Sequence, residues 1–128
     1  MAIPQQIAEL DVLTEAEREC VSVYVDRLRE ALGTDLKEVW VFGSVARGAI
    51  WHEGSGIRSD IDLLVVPEQA ISDAPRIELI NLTYDLFLAC GRQIAPAFVA
   101  AADFVTPSTP ERREFLESIA KEKKRIYP

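Results

Sequence analysis

The chain is poor in the groups that several chemistries need. It has one histidine and two cysteines, Cys20 and Cys90, far apart in sequence. That leaves no disulfide framework and no spacing for a zinc site built from soft ligands. Cations are also short: 14 Lys plus Arg stand against 21 Asp plus Glu, a formal net charge of −7. Affinity for a phosphate backbone comes mainly from clustered Lys and Arg, so autonomous nucleic-acid binding is not expected. No apolar run is long enough to span a bilayer, and the first residues lack the charged start and long apolar stretch of a signal peptide. A cytoplasmic location without membrane contact is the expectation. At 128 residues, one domain covering 1–128 is expected, with no room for a second.

What is present is enough apolar material for a core. Hydrophobic residues make up 48% of the chain, which excludes a disordered tail. The acidity is uneven. Residues 1–64 hold 12 acids against 6 bases, and residues 65–128 hold 9 against 8. The basic group Lys121, Lys123, Lys124 and Arg125 reads as a solvated last helical turn, where cations suit the helix dipole.

Local patterns predict an α+β fold, a small mixed β-sheet covered by helices. Thr14-x-x-Glu17 fits a capping box, and Val21, Val25, Leu28 and Leu32 recur at helical spacing until Gly33 stops them. Leu36 to Phe42 reads as a strand, Ser44 to Arg47 as a short helical turn, and Asp60 to Val66 as a second strand closed by Pro67. Asp73-Ala74-Pro75 opens a helix. Its apolar residues Ile77, Ile80, Leu82, Tyr84, Phe87 and Leu88 are expected in the core, and Gly91 ends it. Gln93 to Ala100 reads as a third strand, which Pro96 assigns to an edge or a bulge. Thr109-Pro110 opens a last helix with Phe115, Leu116, Ile119 and Ala120 inward. Cys20 and Cys90 are expected as small hydrophobes. Trp40 is expected in the core, while Trp51 and His52 fall in a Gly-rich loop over 49–59.

The chemistry concentrates in two segments, Val41-Phe42-Gly43-Ser44-Val45-Ala46-Arg47-Gly48 and Ser59-Asp60-Ile61-Asp62-Leu63-Leu64-Val65. A hydrophobic strand runs into Gly-Ser and then a helical turn. Gly43 lets backbone approach a ligand, and the following N–H groups with the Ser44 hydroxyl suit an anion. Arg47, one turn on, can reach the same anion with a fork of donors. Asp60 and Asp62, two apart on a strand, project from one face. Two such carboxylates repel unless a cation lies between them, and a hard divalent ion such as Mg²⁺ suits their oxygens. A Gly-Ser alone is usually a turn, and a lone Asp-x-Asp is usually solvated. Their order on successive strands is what makes the pair specific.

These segments resemble the signature of minimal nucleotidyltransferase (MNT) domains, in the polymerase-beta-like nucleotidyltransferase superfamily. The resemblance implies that Gly43 and Ser44 contact the phosphates of a nucleoside triphosphate such as ATP. It implies that Asp60 and Asp62 ligate Mg²⁺ and support transfer of a nucleoside monophosphate, with pyrophosphate leaving. Two departures stand out. Fifteen residues separate Ser44 from Asp60, longer than the family's usual stretch of about ten, which enlarges the 49–59 loop. The family's third carboxylate aligns with Gln93, which is neither an anionic ligand nor a base.

With no separate acceptor-binding domain, the acceptor is expected from a partner or a homo-oligomer interface. Similar stand-alone domains pair with HEPN-type toxins as antitoxins, some by adding AMP to the partner, and an acidic surface suits a basic RNase-like protein. Two alternatives remain open: a catalytically impaired nucleotide-binding or toxin-binding module, which Gln93 favours, and a small-molecule transferase of the aminoglycoside-modifying kind.

Overall fold

The computed structural model of the chain describes residues 3–48 and 59–128. Helix α1 covers Gln5–Ala8, and α2 covers Glu15–Leu32. Thr14 caps α2 in the expected capping box: its hydroxyl accepts the Glu17 N–H, and Glu17 Oε1 accepts the Thr14 N–H. A single 3₁₀ turn, Gly33–Asp35, leads into β1, Leu36–Phe42. The four-residue turn α3, Gly43–Ala46, follows directly, and β2 covers Ile61–Pro67. Then come α4 (Asp73–Cys90), β3 (Ile94–Phe98), α5 (Ala101–Val105), α6 (Pro110–Ile119) and β4 (Lys124–Tyr127).

The sheet has four strands in the order β3-β2-β1-β4 and is mixed. β1 pairs antiparallel with β2 and with β4, whereas β2 and β3 run parallel. β3 is an edge strand, which is where Pro96, lacking an N–H, is tolerated. Alternation along the strands sends side chains to two layers. Val39, Val41, Ile61, Leu63, Val65 and Ile94 pack with α1, α2 and α4. Trp40, Phe42, Leu64, Val66 and Ala97 face the other way, onto Phe104 of α5 and Phe115, Leu116 and Ile119 of α6. The ring of Phe42 meets Phe115 edge to face, with centroids 5.4 Å apart.

Two expectations are corrected. The basic end of the chain is not a solvated helical turn. Lys124 and Arg125 lie in β4, paired against Val41 and Trp40 of β1. The Lys123 ammonium sits 4.8 Å from the Trp40 ring centroid, with the Arg125 guanidinium at 5.7 Å, so the cations cover an aromatic face and leave no helix end to complement. Trp40 itself is half-buried, packed on Phe104 and covered by those cations.

The second correction concerns α4. Its core face is Leu79, Thr83 and Leu86, turned to α2. Ile77, Ile80, Tyr84, Phe87 and Leu88 are exposed, Leu88 at 82%. At 100° per residue these five form one stripe along the outer side of the helix. Apolar residues cover most of the circumference, interrupted on one side by Glu78, Asn81 and Asp85, so periodicity alone does not reveal which part of that wide arc turns inward.

The thiols are free, and Cys20 is buried. Burial, followed by a hydrogen bond with Cys90, pushes its thiol up to about 12 from an ordinary 9.0. That is the behaviour of a small hydrophobe and not of a nucleophile. Trp51, His52 and the expected loop over 49–58 lie outside the described residues.

Candidate active site

The antiparallel register of β1 and β2 assembles the site. Phe42, the last residue of β1, pairs with Asp62 in β2, so Gly43 arrives beside the Asp62 carboxylate. Gly43 adopts φ +71°, a conformation in which a side chain is strained. A Cβ there would also run into the Asp62 carboxylate. The glycine is therefore required twice, by backbone conformation and by contact with an acid from the other motif. Asp62 is half-buried, and Asp60 stands immediately ahead of β2 and is exposed.

Ser44 is held from below. Its hydroxyl donates to the hydroxyl of Ser59. Ser59 is buried, and the Arg92 guanidinium fixes it twice: Nε donates to the Ser59 carbonyl at 2.7 Å and Nη2 to its Oγ at 3.0 Å. Arg92 Nη1 reaches Glu17 Oε1 at 3.5 Å, with both side chains essentially fully buried. Glu17 is also the capping-box acid of α2. One polar chain thus runs from the start of α2 through Glu17, Arg92 and Ser59 to Ser44. Breaking a buried ion pair by removing one partner typically costs about 3–5 kcal/mol, so this chain is costly to disrupt.

Arg47 stands one turn beyond Gly43, as its spacing implies. Its Nη1 donates to both oxygens of Glu122 at 3.1 Å. Glu122 Oε2 also accepts the Gly43 N–H at 2.5 Å. The β1–β4 register explains this meeting. Trp40 pairs with Arg125 and Val41 with Lys124, and the same register continued by two residues sets Gly43 opposite Glu122.

Gln93 does not turn to the carboxylates. Its amide nitrogen donates to Thr83 Oγ1 at 3.0 Å and to the Ile94 carbonyl at 2.9 Å. The parallel register of β2 and β3 sets Ala95, not Gln93, beside Asp62. No cluster of three or more His, Cys, Asp or Glu able to hold a metal occurs among the described residues. The candidate cation ligands here are Asp62, which the Gly43 contact places, and Asp60, two residues before it in sequence. Their oxygens suit a hard cation such as Mg²⁺, and the space that a Gly43 side chain would fill is given over to one of them.

Sequence reasoning missed Ser59, Arg92 and Glu122. Ser59 directly precedes Asp60, and Arg92 is the one cation between Gly91 and the apolar third strand, so both carried a weak signal. Glu122 carried none, because its place depends on β4, which was read as helix.

No family model matches the sequence, and no characterised protein matches it. Solved structures do match in shape. One is the complex of a tri-AMPylated Shewanella oneidensis HEPN toxin with its MNT antitoxin: 16% identity and TM-score 0.50, covering 86% of this chain and 71% of that one. Another is a substituted form of the toxin–antitoxin pair MntA–HpeT, at 18% identity and TM-score 0.50, covering 80% of this chain and 68% of that one. At these identities the likeness is one of fold alone: a mixed sheet flanked by helices.

Proposed function

We propose that this chain is an Mg²⁺-dependent nucleotidyltransferase that takes a nucleoside triphosphate, ATP by preference, and transfers AMP to a protein partner. The observation that carries the reading is the contact between the two motifs: Gly43 packs directly on the Asp62 carboxylate, and Ser44 donates to Ser59, which directly precedes Asp60. In this reading Gly43, Ser44 and Arg47 bind and orient the phosphates. Asp60 and Asp62 would hold Mg²⁺, which polarises the phosphoryl group and offsets charge when bound. An acceptor hydroxyl oxygen forms a bond to the α-phosphorus, the bond from that phosphorus to pyrophosphate breaks, and the acceptor's proton passes to water.

The partner is proposed to be a HEPN-type toxin, with this chain as its cytoplasmic antitoxin. Three features support it. The fold is that of antitoxins solved with such toxins. The net charge of −7 suits a basic partner. The exposed stripe on α4 is the kind of surface that protein contacts cover.

Incubation with α-labelled ATP, Mg²⁺ and a candidate helical partner tests the reading. Label should move to the partner and be lost on Asp60→Ala with Asp62→Ala; labelling that persists in that variant removes the proposed site. A second reading, a module that binds nucleotide or toxin without transfer, is favoured by Ala95 beside Asp62 and by the commitment of Gln93 to Thr83. Nothing at that position takes the acceptor's proton. Tight Mg²⁺-dependent ATP binding without turnover would select it. Adenylylation of a small molecule by the isolated chain would instead select the aminoglycoside-type alternative.

A further inference from the structure

Three donors at the candidate phosphate site are already turned to the protein itself. Gly43 N–H and Arg47 Nη1 both donate to the Glu122 carboxylate, and the Ser44 hydroxyl is turned to Ser59. A carboxylate held by a backbone N–H and a guanidinium uses the same charge-assisted chemistry that a phosphate oxygen would use. One set of donors does not serve both anions in full, and two like charges brought together repel.

We propose that Glu122 is an intramolecular competitor for the phosphate donors, and that it sets the affinity of the site for a nucleotide. This rests on the nucleotide-binding reading above and adds an affinity-determining residue to it. The triphosphate takes Gly43 N–H and Arg47 as the Glu122 side chain withdraws.

The surroundings allow that withdrawal. Glu122 lies in the turn between α6 and β4, where its own N–H is anchored to the Ile119 carbonyl at 3.1 Å. The backbone can stay in place while the side chain rotates. Arg47 is 57% exposed, so its guanidinium can follow an incoming phosphate. The competing explanation is that Glu122 only fastens β4 to α3. The two roles predict opposite signs: removing a competitor tightens nucleotide binding, whereas removing a fastener loosens the cradle and weakens it.

Calorimetric titration with ATP and Mg²⁺ of the whole chain, its Glu122→Gln variant and its Asp62→Ala variant separates them. Glu122→Gln keeps the size and removes the charge, and it is expected to bind about tenfold tighter, the scale of one charge-assisted hydrogen bond. Inorganic pyrophosphate, titrated separately, should gain in the same direction. Wild-type binding that depends on Asp62 but is unchanged or weakened by Glu122→Gln overturns the proposal and leaves the nucleotide reading standing. Absence of binding in every variant overturns both.

The Gly43 amide proton gives a readout independent of ligand. Its resonance should lie downfield in the wild-type protein and move upfield in Glu122→Gln, with most other amides unmoved. If that spectrum shows an unfolded chain, Glu122→Asp replaces it. One methylene shorter, that side chain keeps the charge but draws back from Gly43, and binding should still tighten; no tightening there also overturns the proposal.

Discussion

Gly43 concentrates more constraint than any other described position in the candidate site. Its positive φ, its contact with Asp62 and its N–H donated to Glu122 belong to three separate parts of the chain. A methyl group at this position must displace the carboxylate or the strand end. Gly43→Ala is therefore expected to lose about 1–3 kcal/mol of stability, the scale of a strained backbone position, and to abolish Mg²⁺-dependent nucleotide binding. Urea unfolding and a binding titration on the same sample check both. A variant with unaltered binding would show that Asp62 moves aside freely. Ser44 is constrained differently, through a partner that is itself pinned by Arg92, so its orientation depends on a buried ion pair beyond the candidate site.

Among the elements, α4 divides most sharply. Leu86 is 8% exposed and faces α2, while Leu88, two residues on, is 82% exposed. Leu86→Ala should cost about 2–4 kcal/mol by opening a cavity. Leu88→Ala should fall within about 0.5 kcal/mol, as surface substitutions do. Chemical denaturation of the two variants checks the assignment of faces, and equal losses would contradict it. This helix also marks where the sequence stops being legible. Its limits are readable, from the Asp73-Ala74-Pro75 start to Gly91, because those residues act locally. Its inward face is not, since leucine, isoleucine and aromatic residues span a far wider arc than one core face needs, and tertiary contact alone selects among them. β1 and the capping box of α2 are readable for the same local reasons. β4 is the opposite case. Four cations near a chain end suggest a helix terminus, and only the edge of β1 converts Lys124-Arg125-Ile126-Tyr127 into a strand. Ile126, buried there, was the β-branched clue. The place of Glu122 depends on β4 and is not legible for that reason, whereas motif order alone picks out Asp60, Asp62, Gly43, Ser44 and Arg47 as candidates.

Stability of the whole molecule should depend on alkaline pH through Cys20. The folded state holds the thiol proton up to about 12, against an ordinary 9.0, because burial disfavours the thiolate. Above pH 9 the unfolded chain releases this proton and the folded chain does not. The contribution is thus complete below pH 9 and is lost as pH rises toward 12. Burial raises the Tyr24 phenol as well, with the same sign at higher pH. Thermal unfolding between pH 8 and 11 should show falling stability, and Cys20→Ala should flatten the part of the slope nearest pH 9. A slope unchanged by that substitution would assign it to other groups.

The two neighbours of β1 differ greatly in chain separation. Val41 pairs with Leu63 on one side and with Lys124 on the other. Loop-closure entropy grows with the chain to be closed, and contacts distant in sequence form later in folding. Loop closure therefore favours the β1–β2 pair that sets Gly43 against Asp62 forming ahead of the β1–β4 pair that delivers Glu122. In that order the Gly43 and Arg47 donors would stand open before the Glu122 side chain reaches them. A chain refolded in phosphate or nucleotide would then meet those anions with its donors open, and the order of strand pairing would decide which anion reaches them first.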